Sequence, residues 1–124
     1  MIDLYDRRFD WWDIDYLKSQ GISPEKASLY DERFCADEIV HLKEEGIYAE
    51  EANSYDERFD GWEITYLKNA KVTPKEANLY DKRFSGWDIG SLKIRNISHE
   101  EANQYDERFD RWDIIYLKGA NITP

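Results

Sequence analysis

The chain repeats itself every 25 residues. Tyrosine stands at Tyr5, Tyr30, Tyr55, Tyr80 and Tyr105. The same interval carries Asp6, Asp31, Asp56, Asp81 and Asp106, then Arg8, Arg33, Arg58, Arg83 and Arg108, then Phe9, Phe34, Phe59, Phe84 and Phe109. Lys18, Lys43, Lys68, Lys93 and Lys118 each follow a leucine in the same register, and no insertion interrupts it. A unit this short cannot bury a core alone, so neighbouring units must stack and share one.

Within a unit the local chemistry marks two helix starts. Ser23-Pro24, Thr73-Pro74 and Ser98-His99 open the first, because a hydroxyl can cap free amides and proline loses nothing where its missing N–H would be unpaired. Thr73 with Glu76, and Ser98 with Glu101, have the spacing of capping boxes. Tyr48-Ala49 replaces the Ser-Pro pair, which predicts a cap weaker by about 1 kcal/mol. The second helix opens just after the phenylalanine, with Asp10, Asp60, Ser85 and Asp110 as caps and Asp13, Glu63, Asp88 and Asp113 three residues on. Gly21, Gly46, Asn96 and Asn121 tolerate the left-handed conformation that closes a helix; Lys71, at the same place, does not fit that rule. Two helices of roughly 10 residues per unit are expected, since isolated helices this short are marginal and need tertiary packing.

These signals predict an all-α fold: an α-solenoid of about five 25-residue helix-turn-helix repeats in a single domain, 1–124. A partial unit covers 1–22, full units cover 23–47, 48–72, 73–97 and 98–122, and 123–124 starts another. The ragged ends raise the expectation of a longer array or of end-to-end self-association. In architecture the chain resembles tetratricopeptide, Sel1-like and other two-helix solenoids, which implies interaction rather than chemistry. The unit is shorter than the roughly 34 residues of a tetratricopeptide repeat and lacks its Trp-Leu-Gly-Tyr pattern.

Charge and composition narrow the function classes. With 27 acidic against 17 basic side chains the net charge is -10, which repels phosphate backbones and leaves nucleic acid an unexpected ligand. No segment reaches the roughly 18 apolar residues of a membrane span, and residues 1–6 lack the features of a secretory signal. A soluble, cytoplasmic chain is expected. Cys35 is the single cysteine, so no internal disulfide frames the fold. As a helix cap near Asp37 and Glu38 it makes a poor nucleophile. His41 and His99 have no second ligand at metal-binding spacing. No enzyme, metal or cofactor is expected.

Two sets of positions on the second helix are candidates for recognition. The first varies between units: Trp11, Asp15, Ser19; Ala36, Val40, Glu44; Gly61, Thr65, Asn69; Gly86, Gly90, Ile94; Arg111, Ile115, Gly119. Its small residues suit either a groove floor or helices packed close together. Gly90 in mid-helix costs about 1 kcal/mol relative to alanine, which points to a close approach there. The second set is aromatic: Trp12 with Tyr16, Trp62 with Tyr66, Trp112 with Tyr116, and Trp87 beside Ser91. Such a stripe is either core or a row of exposed anchors. The candidate binding residues are therefore Trp11, Trp12, Asp15, Tyr16, Trp62, Tyr66, Trp87, Trp112 and Tyr116.

The repeated Asp-x-Arg reads as a ladder of salt bridges and hydrogen bonds between units. Unit 73–97 departs from the acidic rule through Lys75, Lys82, Arg83, Lys93 and Arg95, an island that suits a carboxylate-rich neighbour. The expected function is a non-enzymatic module for protein or peptide binding or scaffolding, preferring basic partners. A structural spacer or self-assembly element in a longer array is the alternative.

Overall fold

The computed structural model describes residues 5–124. Residues 1–4, part of the stretch judged above to lack a secretory signal, lie outside the described residues. All regular structure among the described residues is helical. Five longer helices, α1 (Trp11–Ser19), α3 (Ala36–Glu44), α5 (Gly61–Asn69), α7 (Gly86–Ile94) and α9 (Arg111–Gly119), alternate with four short ones. The short ones are α2 (Pro24–Leu29), α4 (Ala49–Ser54), α6 (Pro74–Leu79) and α8 (His99–Gln104). The chain divides into two compact units, Met1–Thr65 and Tyr66–Pro124.

The long helices start where their caps predict. Asp10 and Asp13 exchange side-chain and backbone hydrogen bonds, as do Ser85 with Asp88 and Asp110 with Asp113. Each helix ends in a Schellman arrangement. Gly21 and Gly46, at φ 73°, place the next amide on a carbonyl five residues back, with Ile22 N donating to Leu17 O at 2.9 Å and Ile47 N to Leu42 O at 2.8 Å. Lys71 adopts the same conformation, at φ 64°, and Val72 N still reaches Leu67 O at 2.9 Å. Tertiary packing thus imposes the left-handed turn on a side chain that disfavours it. Lys71→Gly is expected to raise stability by about 0.5–1 kcal/mol, read as a higher urea midpoint at unchanged m-value. A lower midpoint would show that the lysine side chain contributes more than the strain removes.

The short helices are six residues long rather than roughly ten. Each repeated tyrosine turns to extended backbone, as at Tyr30 (ψ 138°), because the following aspartate organises its own turn. Arg8 N and Arg108 N donate to the carboxylates of Asp6 and Asp106, two residues back, at 3.2 and 3.0 Å. Phe34 N closes the turn on Asp31 O at 3.0 Å. Phe34, four residues on from Tyr30 and seven from Ala27 at helical spacing, therefore lies beyond α2. The capping boxes expected at Thr73 and Ser98 form only by half. Their hydroxyls accept from Glu76 N and Glu101 N, but Glu76 and Glu101 turn their carboxylates to Lys93 and Lys118, at 2.7 and 2.6 Å. Tyr48 caps α4 without any side-chain hydrogen bond, as its sequence predicts.

Within Met1–Thr65, α1 packs on α3 and α2 on α4; within Tyr66–Pro124, α7 packs on α9 and α6 on α8. The same side chains make these contacts in both. Tyr30 and Tyr80 donate from their hydroxyls to Ile47 O and Ile97 O at 2.8 and 2.7 Å. Arg33 reaches forward to a ring of carbonyls on the following short helix and its turn: Ala52 at 2.9 Å, Tyr55 at 2.6 Å, Phe59 at 3.2 Å, and Asp56. Arg8 and Arg83 do the same 25 residues before and 50 after. The expected ion-pair ladder is therefore different in kind. The pair with aspartate is internal, Arg33 Nε lying 3.5 Å from Asp31, and the link to the next helix runs from guanidinium to backbone. Ala52 and Tyr55 lie at the C-terminal end of α4, where the macrodipole favours a cation, and the fork adds a second donor to Ala52 O and Asp56 O, which also accept from Tyr55 N and Phe59 N.

Candidate binding surface

The core is filled without tryptophan. Phe34, Phe59, Phe84, Tyr55 and Tyr80 are almost wholly buried, together with Leu17, Leu42, Leu67 and Leu92 and with Ile39, Ile64, Ile89 and Ile114. All five tryptophans are exposed: Trp11 by 62%, Trp12 by 67%, Trp62 by 42%, Trp87 by 44% and Trp112 by 62%. The aromatic stripe thus belongs to the surface, and the reading of it as core is set aside. The reason lies in the angle between the two stripes of the long helix. Ile39 and Leu42, or Ile89 and Leu92, fill the buried side of the long helix, and the tryptophans on the other side stay at least 42% exposed.

In Met1–Thr65, Trp11 and Trp12 stack at 4.2 Å on the first turn of α1, with exposed Asp15 and Tyr16 one turn further on. Trp62 of α5 lies against His41 of α3, ring centroids 4.4 Å apart. In Tyr66–Pro124, Tyr66 packs on Trp87 at 5.2 Å, and the Arg111 guanidinium sits 4.5 Å over Trp112. Tyr116 is 74% exposed. The nine candidates are therefore not one cluster; each compact unit carries its own aromatic patch.

The stripe of small residues is mainly packing. Ala36, Val40, Gly61, Thr65, Gly86 and Gly90 are all buried. A Cβ on Gly90 would overlap the Tyr66 ring, and one on Gly61 would lie 2.8 Å from Glu38 Cβ. The close approach inferred for Gly90 is thus to Tyr66. Glu38, 8% exposed, accepts from Cys35 N at 3.0 Å and from Gly61 N at 2.6 Å, which ties α3 to the start of α5.

Comparison with known protein families, curated proteins and solved structures gives no match. The chemistry of the surface must therefore carry the functional reading. Among the described residues no three His, Cys, Asp or Glu gather to hold a metal, and no helix is long and apolar enough to cross a membrane. Desolvation, with Glu38 beside it, pushes the Cys35 thiol up from its ordinary value, the wrong direction for a nucleophile.

The basic island of unit 73–97 is partly used up by structure. Arg83 is bound to four carbonyls and Lys93 to Glu76. Two grooves were not foreseen from the sequence. One, of about 200 Å³, is lined by Ser91, Ile94, Arg95, Trp112 and Ile115. The other, of about 190 Å³, lies in the first compact unit between α2, α3 and α4 and is lined by Ile22, Lys26, Leu29, Tyr30, Lys43, Tyr48 and Ala49. The signal for the second was present in the repeat. Lys26 stands where the later units have Glu51, Glu76 and Glu101, and Tyr48 where they have Thr73 and Ser98.

Proposed function

We propose that the chain is a non-enzymatic helical-repeat module, an α-solenoid in architecture, that binds a protein or peptide through its exposed tryptophans. The observation that carries this reading is the exposure of every tryptophan in a chain whose core is otherwise well filled. Tryptophan is costly to leave in water and is enriched among the residues that dominate binding energy. Several are also pre-ordered, held against Tyr66, His41 or Arg111, so less side-chain freedom is lost on binding. The net charge of -10 favours basic or neutral partners over nucleic acid.

Capture of partners by immobilised full-length chain, compared with Trp62→Ala and Trp87→Ala, tests the reading. The substitutions are expected to weaken a specific partner by about 10-fold or more, a hot-spot effect. Their urea midpoints should fall by less than the equivalent of about 1 kcal/mol, because both side chains are surface residues. Recovery of the same partners by wild type and both variants would refute the tryptophan surface.

A further inference from the structure

The repeat itself shows what belongs in the groove between α2, α3 and α4. In later units a glutamate of the short helix pairs with the repeated lysine: Glu76 with Lys93 at 2.7 Å and Glu101 with Lys118 at 2.6 Å. In unit 23–47 the glutamate position is Lys26, so the partner position of Lys43 holds a second cation instead of a carboxylate. Lys43 Nζ donates to Gln20 O, at 3.3 Å, and among the described residues neither Lys43 nor Lys26 has an ion pair. Beside these lysines the second departure, Tyr48, adds an apolar wall with Leu29, and each is 64% exposed. Two exceptions to the repeat thus converge on one groove of about 190 Å³, lined by both lysines and otherwise mainly by apolar side chains.

We propose that this groove binds an acidic peptide segment in which a glutamate or aspartate lies beside a leucine- or phenylalanine-sized side chain. The carboxylate supplies the negative charge that Glu76 and Glu101 supply in their own units, between Lys26 and Lys43, and the apolar side chain lies against Leu29 and Tyr48. The volume lies below the roughly 300 Å³ at which pockets for whole small molecules begin, and suits side-chain ends of a peptide whose backbone stays outside. The chain's overall negative charge does not exclude such a ligand. Carboxylates beyond the roughly 8 Å screening length of physiological salt act weakly there. Glu25, Glu44 and Glu50 adjoin lining residues in the chain, but the groove itself is lined by the two lysines and no carboxylate. This site is separate from the tryptophan surface, and either can fail alone.

The test is a fluorescence-anisotropy titration of the full chain with a labelled Gly-Leu-Glu-Phe-Glu-Gly peptide. A matched peptide carries glutamine for glutamate, and Lys26→Glu and Tyr48→Ser are the variants. Lys26→Glu restores the pair found in the other units and Tyr48→Ser restores their cap, so both variants are expected to fold at least as well as wild type. The acidic peptide should bind wild type at least 10-fold more tightly than the glutamine peptide, lose at least 10-fold on Lys26→Glu, and weaken on Tyr48→Ser. Equal binding of both peptides, no binding, or indifference to Lys26→Glu would overturn the proposal. Octanoate displacing the peptide completely at equal concentration would assign the groove to small carboxylates instead. Self-association abolished by Lys26→Glu would assign it to a second copy; either result also overturns the peptide assignment.

Discussion

Arg33→Ala is expected to destabilise the chain by about 3 kcal/mol or more, while Arg108→Ala is expected to be nearly neutral. Both arginines occupy the same repeat position and both lie over a phenylalanine, at 4.6 and 4.7 Å. Arg33 differs in what it reaches. Its side chain is 15% exposed and donates to four backbone carbonyls at the end of α4 and in the turn that follows. The Arg108 side chain is 74% exposed and, besides lying over Phe109, pairs with Asp106 at 4.0 Å. Hydrogen bonds from charged donors contribute about 1.5–3 kcal/mol each, and a buried carbonyl left without a donor costs about 1–3 kcal/mol. These effects are not additive, so the sum is capped well below four such bonds.

Burial pushes the Arg33 guanidinium down from its ordinary value and Asp31 pulls it back, but arginine keeps its charge at any accessible pH. Arg33→Lys should recover less than half of the loss, because a single ammonium cannot span a ring of carbonyls as a planar fork does. Urea midpoints of the three variants supply the measurement. Equal losses at positions 33 and 108 would mean that the arginine acts through its own phenylalanine, and not through the next helix.

The distinction bears on how much the sequence could show. Local signals were read well, because a cap or a Schellman turn involves only neighbouring residues: the boxes at Asp10, Ser85 and Asp110 all form, and Gly21 and Gly46 are left-handed. Lys71 shows the limit of such signals, since packing of its helix fixes the turn whatever side chain occupies it. Contacts across 17 to 26 residues were harder. Arginine beside aspartate suggested an ion-pair ladder, yet the carbonyls it binds carry no sequence signature at all. The glutamates at 76 and 101 had two uses, box or lysine, and only geometry chose the lysine.

The candidate site followed the same division. Periodicity placed the tryptophans on one side of the long helix, but whether that side is covered depends on the angle between helices. Gly90 announced a close approach without naming Tyr66. Lys26 and Tyr48 were visible as exceptions. Their meeting in one groove required the fold.

Stability is expected to fall steeply as pH rises from 10 to about 12, through the buried tyrosines. Burial pushes the phenols of Tyr30, Tyr55 and Tyr80 up from 10.0 to about 12. Tyr30 and Tyr80 also donate to carbonyls, which a phenolate could not do and would repel. Since the folded values are raised, this contribution is complete below pH 10, where both states keep the proton. Above it the unfolded chain releases protons that the folded chain retains, and stability drains until pH passes the folded value. One unit corresponds to about 1.4 kcal/mol, so a gap of about two units amounts to at most about 2–3 kcal/mol for each tyrosine, with Tyr30 and Tyr55 acting in one compact unit and Tyr80 in the other. Set against the whole stability of a small domain, about 5–15 kcal/mol, such losses are large, so the urea midpoint should fall steeply between pH 10 and 12. Tyr30→Phe separates this effect from general charge repulsion. At neutral pH it should cost about 1 kcal/mol, because Ile47 O loses its donor, yet its stability should fall less steeply with pH than that of wild type. Urea midpoints at intervals between pH 9 and 12 give both slopes, and parallel slopes for the two proteins would remove Tyr30 from the account.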